Sequence, residues 1–106
     1  MNRTKLLLSG LRSLWGVLTP NVRKVSIDEV DNNISIYFYY DKIPSEIEQE
    51  LAEDAATEVI ADFPEPFLIN CEKKVVQFTE KIEVSCLLIY SRFERQDMVA
   101  EKIFGC

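Results

Sequence analysis

The sequence predicts an α+β domain in the order helix, hairpin, helix, hairpin (αββαββ), its antiparallel four-stranded sheet covered on one face by two helices. Three observations predict it. Leucines recur at helical spacing before Pro20, two alternating runs flank Asp31-Asn32-Asn33, and a capped, apolar-faced segment lies between Pro44 and Pro64 ahead of two more strand-like runs.

From about Thr4 to Leu18 the stripe is Leu7, Leu11, Leu14 and Leu18, with Leu8 and Trp15 beside it and Arg3, Lys5, Ser9, Arg12 and Ser13 on the remainder. This predicts an amphipathic helix with a basic outer side, Trp15 in the core, and a stop at Thr19-Pro20-Asn21. Val22 to Asp28 alternates Val25 and Ile27 against Lys24, Ser26 and Asp28, the period of a half-buried strand. After the turn, Ile34, Ile36, Phe38 and Tyr40 face one way and Ser35, Tyr37 and Tyr39 the other, which makes the first hairpin.

The second helix is announced by Pro44 and by Ser45-Glu46-Ile47-Glu48, where Ser45 can cap the amide of Glu48 and Glu48 can reach back. Ile47, Leu51, Ala55, Val59 and Phe63 recur every four residues, so the helix is expected to run to Phe63 and end at Pro64. Phe67 to Phe78 and Ile82 to Arg92, around a turn near Thr79-Glu80-Lys81, predict the second hairpin, with a bulge or break at Glu72-Lys73-Lys74. Residues 95–106 are expected as a short helix or a loose tail.

A length of 106 residues with 47% hydrophobic content supplies one core and starves two, so 1–106 is expected to be a single domain. Cys71, Cys86 and Cys106 are an odd count without a CxxC pair, which predicts reduced thiols and no zinc site. There is no histidine, so Ser/His and Cys/His nucleophiles are excluded, and Gly10, Gly16 and Gly105 cannot build a phosphate-cradling loop. No catalytic residue, metal site or cofactor is expected. No stretch approaches the ~20 apolar residues of a membrane span, and the apolar start breaks at Ser9, Gly10 and Arg12, so a cytoplasmic location is expected.

The net charge of -6 is segregated. Residues 1–24 hold Arg3, Lys5, Arg12, Arg23 and Lys24 and no acid, whereas residues 41–65 hold nine acids against Lys42. On the second helix Glu46, Glu50, Asp54, Glu58 and Asp62 stand at successive i+4 positions, widened by Glu53. Four such like-charge pairs cost a helix about 1–2 kcal/mol before screening. That ridge suits a basic surface and repels phosphates, so direct nucleic-acid binding is not expected and a protein partner is. The site residues this reading nominates are Glu46, Glu50, Glu53, Asp54 and Glu58 for the field, with Tyr37 and Tyr39 as aromatic anchors. The plainer alternative is a solvated helix face and strand tyrosines with no partner.

Leu6-Leu7-Leu8-Ser9 through Leu14, on to Leu18-Thr19-Pro20-Asn21-Val22-Arg23, together with Ile34-Ser35-Ile36-Tyr37-Phe38-Tyr39 and Ala56-Thr57-Glu58-Val59-Ile60-Ala61-Asp62-Phe63-Pro64, resemble a family of small bacterial proteins of this length. The family is similar to immunity proteins of contact-dependent growth inhibition. The resemblance covers most of residues 6–64, leaves the part beyond Pro66 individual to this chain, and carries no site residue over. It implies a cytosolic protein that neutralises a cognate toxin, which the acidic ridge would suit if the toxin were basic, as a nuclease is. The reading from another class is a structural or regulatory adaptor that self-associates through its sheet. An enzyme is third and would show two carboxylates converging in a deep pocket.

Overall fold

The computed structural model describes residues 3–82 and 87–94, so the expectation for residues 95–106 lies outside the described residues. The elements are α1 (Arg3–Ser13), β1 (Val22–Val30), β2 (Asn33–Tyr40), α2 (Glu46–Ile60), β3 (Leu68–Val75) and β4 (Leu87–Ser91).

The first hairpin forms as the alternation predicts, longer at its tip by two residues on β1 and one on β2. Val30 pairs with Asn33 and the register runs through Ile27 with Ile36 to Val22 with Tyr40. Only Asp31 and Asn32 make the turn, at φ 52° and 67°. Both lie in the left-handed region that a two-residue turn matching the strand twist requires, and which Asp and Asn tolerate best.

The sheet is mixed, which corrects the antiparallel expectation. Its order is β3-β2-β1-β4, and β3 runs parallel to β2 from Asn33 opposite Leu68 to Tyr40 opposite Val75. The physical reason is the crossover: α2 carries the chain back along the sheet, so the strand after it starts where β2 started. There is therefore no second hairpin. β3 and β4 occupy opposite edges, and β4 is antiparallel to β1. Glu72-Lys73-Lys74 pair in continuous register with Tyr37, Phe38 and Tyr39, and the register shifts fall instead at Val22/Lys24 and Val25/Ser26.

At the start of α2 the capping box is present: Ser45 Oγ accepts from the Glu48 amide at 3.1 Å, and the Glu48 carboxylate accepts from the Ser45 amide at 2.9 Å. The helix stops at Ile60, three residues short of Phe63. Asp62 and Phe63 donate to Val59 and Ile60 at 3.0 and 3.1 Å, a tightened last turn ahead of Pro64, which disfavours helical backbone at the residue before it.

α1 departs most from expectation. It ends at Ser13, and its buried residues are Leu6, Ser9, Gly10 and Ser13, not the Leu7, Leu11, Leu18 stripe. A Cβ at Gly10 would lie 3.0 Å from Ile89 Cδ1 and 3.4 Å from Ile27 Cδ1, so the small residues let α1 approach β1 and β4 closely. Larger side chains on that face would hold the backbone off. Turns with i to i-3 bonds at Leu14, Trp15 and Val17 follow, then Gly16 at φ 77°. Leu14 and Val17 turn inward, while Trp15 is 91% exposed and so corrects its core assignment.

The core joins Val22, Val25 and Ile27 of β1, Ile34, Ile36, Phe38 and Tyr40 of β2, and Ala52, Ala55, Ala56 and Val59 of α2 to Leu6, Leu14, Val17, Phe63 and Ile89. On α2, as on α1, small side chains set the packing distance.

Candidate functional surface

Helical spacing places Glu46, Glu50, Asp54 and Glu58 together on α2, and all four are exposed. The inward positions of the same helix are taken by Ala52, Ala55, Ala56 and Val59, so the carboxylates have no route to the core. Among the described residues none of the four makes an ion pair. The other ridge members are compensated. Glu53 accepts from Lys73 of β3, and Asp62 accepts from Arg12 of α1 and, at 2.6 Å, from Ser9 Oγ. The ridge is thus shorter than the spacing alone predicts: six carboxylates become four.

Neighbouring charges confirm the division of labour. The Arg12 guanidinium and the Ser9 hydroxyl hold the Asp62 carboxyl below its ordinary range, and Asp62 in turn raises Arg12. The Lys73 ammonium is raised by its hydrogen bond to Glu53. Glu48, on the same helix, is a structural acid. Burial works against its charge, but hydrogen bonds from Thr19, Ser45 and Asn21 outweigh that and hold it low. It ties the chain before β1 to the start of α2.

Tyr37 and Tyr39 do not join the ridge. Partners across a ladder project to the same side and neighbours along a strand to opposite sides. Ile27, Ile36 and Cys71 are mutual partners, and the Cys71 thiol donates to the Ala52 carbonyl of α2 at 3.7 Å. Ser26, Tyr37 and Glu72 are partners on the other side, away from α2. The two tyrosine rings are 6.5 Å apart, Tyr37 is half-buried with Lys74 Nζ 5.8 Å from its ring centre, and Tyr39 is only 8% exposed. One patch therefore holds the carboxylates and a separate one the tyrosines.

Two features escaped the sequence. One is a buried ion pair: Arg23 Nε and Nη2 donate to the two Glu94 oxygens at 2.7 and 2.9 Å, and Arg23 Nη1 donates to the carbonyls of Val76, Gln77 and Glu80. Arg92 adds a 3.0 Å contact to Glu94 and donates to the Pro20 carbonyl at 2.6 Å. This cluster straps the connection after β3 and the segment after β4 onto β1. With the partners 71 positions apart in the sequence, no local pattern signals it. The other is the outward apolar stripe of α1, where Leu8 is 60% and Leu11 46% exposed beside Trp15.

Cys71 is half-buried, and burial together with the Glu53 carboxylate pushes its thiol up to about 11, so it is a poor nucleophile at neutral pH. The groove between α1 and the end of α2, lined by Thr4, Lys5, Leu8, Ser9, Arg12 and Asp62, holds one carboxylate. The groove beside Ile43, Val75 and Phe78 likewise holds one, Asp41. No helix among the described residues is long and apolar enough to cross a membrane.

A profile of the MafI2 immunity protein family matches residues 3–94, from the first residue of α1 to the carboxylate that anchors Arg23. The chain belongs to the MafI2 immunity protein family. No curated protein matches it. The match agrees with the resemblance over residues 6–64 at the level of an immunity protein family and reaches further: residues 67–94, β3 and β4 included, lie within it and are not peculiar to this chain. Immunity proteins neutralise a toxin, so membership makes a protein toxin the partner.

Proposed function

We propose that this MafI2-family chain neutralises its toxin by docking the exposed carboxylates of α2 on a cationic surface of the toxin domain. The observation that carries the reading is the set Glu46, Glu50, Asp54 and Glu58, exposed together and without ion-pair partners among the described residues. Unrelieved like charge destabilises a helix, and a partner of opposite sign removes that penalty on binding. A toxin that binds nucleic acid has such a surface at its phosphate groove, and occluding it would stop hydrolysis without any chemistry by this chain. Glu53 sits at the margin of the ridge, already engaged by Lys73, and Tyr37 and Tyr39 lie outside it. The setting, contact-dependent growth inhibition, belongs to this proposal.

The test uses the toxin domain encoded in the adjoining reading frame. Glu50→Lys with Asp54→Lys should slow association at least tenfold at low salt, and the difference from the native chain should shrink as salt rises. Unchanged association at low salt would reject the ridge as the contact. Self-association through the sheet, the reading from another class, would use the outer edge of β3. That edge strand carries Glu72, Lys73 and Lys74, charges that discourage strand-to-strand pairing.

A further inference from the structure

Leu8, Leu11, Trp15 and Leu18 are all exposed. The spacing of three and four residues keeps Leu8, Leu11 and Trp15 in one outward stripe, because the i to i-3 bonds at Leu14 and Trp15 continue the winding beyond Ser13; Gly16 at φ 77° ends it before Leu18. A nearly fully exposed tryptophan beside two exposed leucines is an apolar patch of the kind that marks interaction surfaces.

The surroundings of the stripe say what would cover it. Among the described residues, all but Arg3 of the five cations of this segment are engaged within the chain: Arg12 by Asp62, Arg23 by Glu94, Lys24 by Ser91, and Lys5 lies over the Phe63 ring at 5.0 Å. That weakens the case for an anionic lipid surface, which would call for free lysines and arginines around the apolar side chains. Leu8 of the stripe lines one groove with Arg12 and Asp62, the acid that follows Glu58 in the i+4 row. Arg12 joins α1 to Asp62 and also feels the Glu58 carboxylate. A second copy is disfavoured too, since apposing two stripes would draw together two ridges on chains of net charge -6. Interfaces are built with an aromatic centre in a polar rim, and the exposed Trp15, one turn after the Arg12 that pairs with Asp62 and feels Glu58, supplies both.

We infer that the Leu8, Leu11, Trp15 stripe is the apolar centre of the toxin contact whose charged rim is the α2 ridge. The partner is then a protein surface with an apolar recess flanked by lysines or arginines. This rests on the immunity reading above and names a contact that reading does not require.

Calorimetric titration of the adjoining-frame toxin domain into the native chain, Trp15→Ser, Leu8→Ser with Leu11→Ser, and the hairpin-tip control Val30→Ser tests it. Trp15→Ser should bind at least about 30-fold more weakly, the loss expected of an interface hot spot, while Val30→Ser stays within about threefold. Thermal unfolding of each variant should match the native chain, because the replaced side chains are outward. If the native chain binds and the stripe variants bind equally well, the inference is overturned and the immunity reading stands. If the native chain neither binds nor inhibits the toxin domain, both fall. A native dimer that Trp15→Ser makes monomeric in sedimentation, or flotation with phosphatidylserine vesicles that Trp15→Ser abolishes, would assign the stripe to a second copy or to lipid and overturn the inference.

Discussion

Arg23 and Glu94 face each other as a two-point ion pair whose side chains are 4% and 2% exposed, at the end of the sheet where β3 leaves and β4 finishes. The pair holds segments that no sheet ladder holds. Truncating Glu94 to Ala leaves a buried guanidinium without its counter-charge, which lowers stability by about 3–5 kcal/mol. The double replacement Arg23→Met with Glu94→Leu should lose much less than the two single truncations together, since it leaves no buried charge behind. Urea unfolding of the native chain, Arg23→Met, Glu94→Leu and the double variant measures the coupling, and additive losses would show that the pair acts as two independent contacts.

The pH dependence follows from the same acid. At Glu94 burial opposes ionisation, but hydrogen bonds and charge from Arg23 and Arg92 prevail and hold the folded-state value below the ordinary glutamate value of 4.5. Glu48 and Asp62 are held low as well. A carboxylate lowered on folding stabilises the native state above its unfolded value, and that contribution is lost as pH falls through the folded value. Stability should therefore fall away below about pH 4.5 and stay nearly flat from pH 6 to 8, where a chain without histidine has little to titrate. In Glu94→Gln the acid-side slope should be shallower. An equal slope in that variant would remove Glu94 from the account.

Gly10 is the closest approach of α1 to the sheet. Replacing it with Val puts bulk where a Cβ alone already reaches 3.0 Å from Ile89 Cδ1, and overpacking of this sort costs about 1–3 kcal/mol. Gly10→Ala should be far milder. The tip of the Ile89 side chain can shift by a few tenths of an ångström, and helix propensity returns up to about 1 kcal/mol. Thermal unfolding of the two variants checks the order, and a Val variant as stable as the Ala variant would mean that α1 is free to move away.

Local chemistry was legible in the sequence and long-range assembly was not. The Ser45/Glu48 box, the Asp31-Asn32 turn and the Ile34 to Tyr40 alternation are each written within a few residues, and each forms. The edge position of β3 was missed because adjacent strand-like runs invite a hairpin, whereas the direction of β3 is set by the crossover through α2. On α1 the hydrophobic pattern placed part of the stripe: Leu14 is buried and Leu7 packs against the core, whereas Leu11 and Leu18 are exposed. Ser9, Gly10 and Ser13 earn their burial by smallness, a property that hydrophobic periodicity does not register. The ridge was readable as a row of acids, but its compensation by Lys73 and Arg12 depends on contacts 20 and 50 residues distant.

Ser26 offers a stabilising change. It lies wholly buried on β1, opposite Tyr37 and Leu88, and its Oγ has no hydrogen-bond partner among the described residues. An unmet buried hydroxyl carries a desolvation penalty of about 1–3 kcal/mol, while Ala at the same position loses only a small volume and weakens the strand preference slightly. Ser26→Ala should therefore be more stable by about 1 kcal/mol, read as a higher urea midpoint at unchanged slope. Ser26→Val separates the two contributions: it restores β-branching but adds bulk between Tyr37 and Leu88. If Ser26→Ala were less stable than the native chain, the hydroxyl would have to be engaged in solution, and removing its partner should then reproduce the loss.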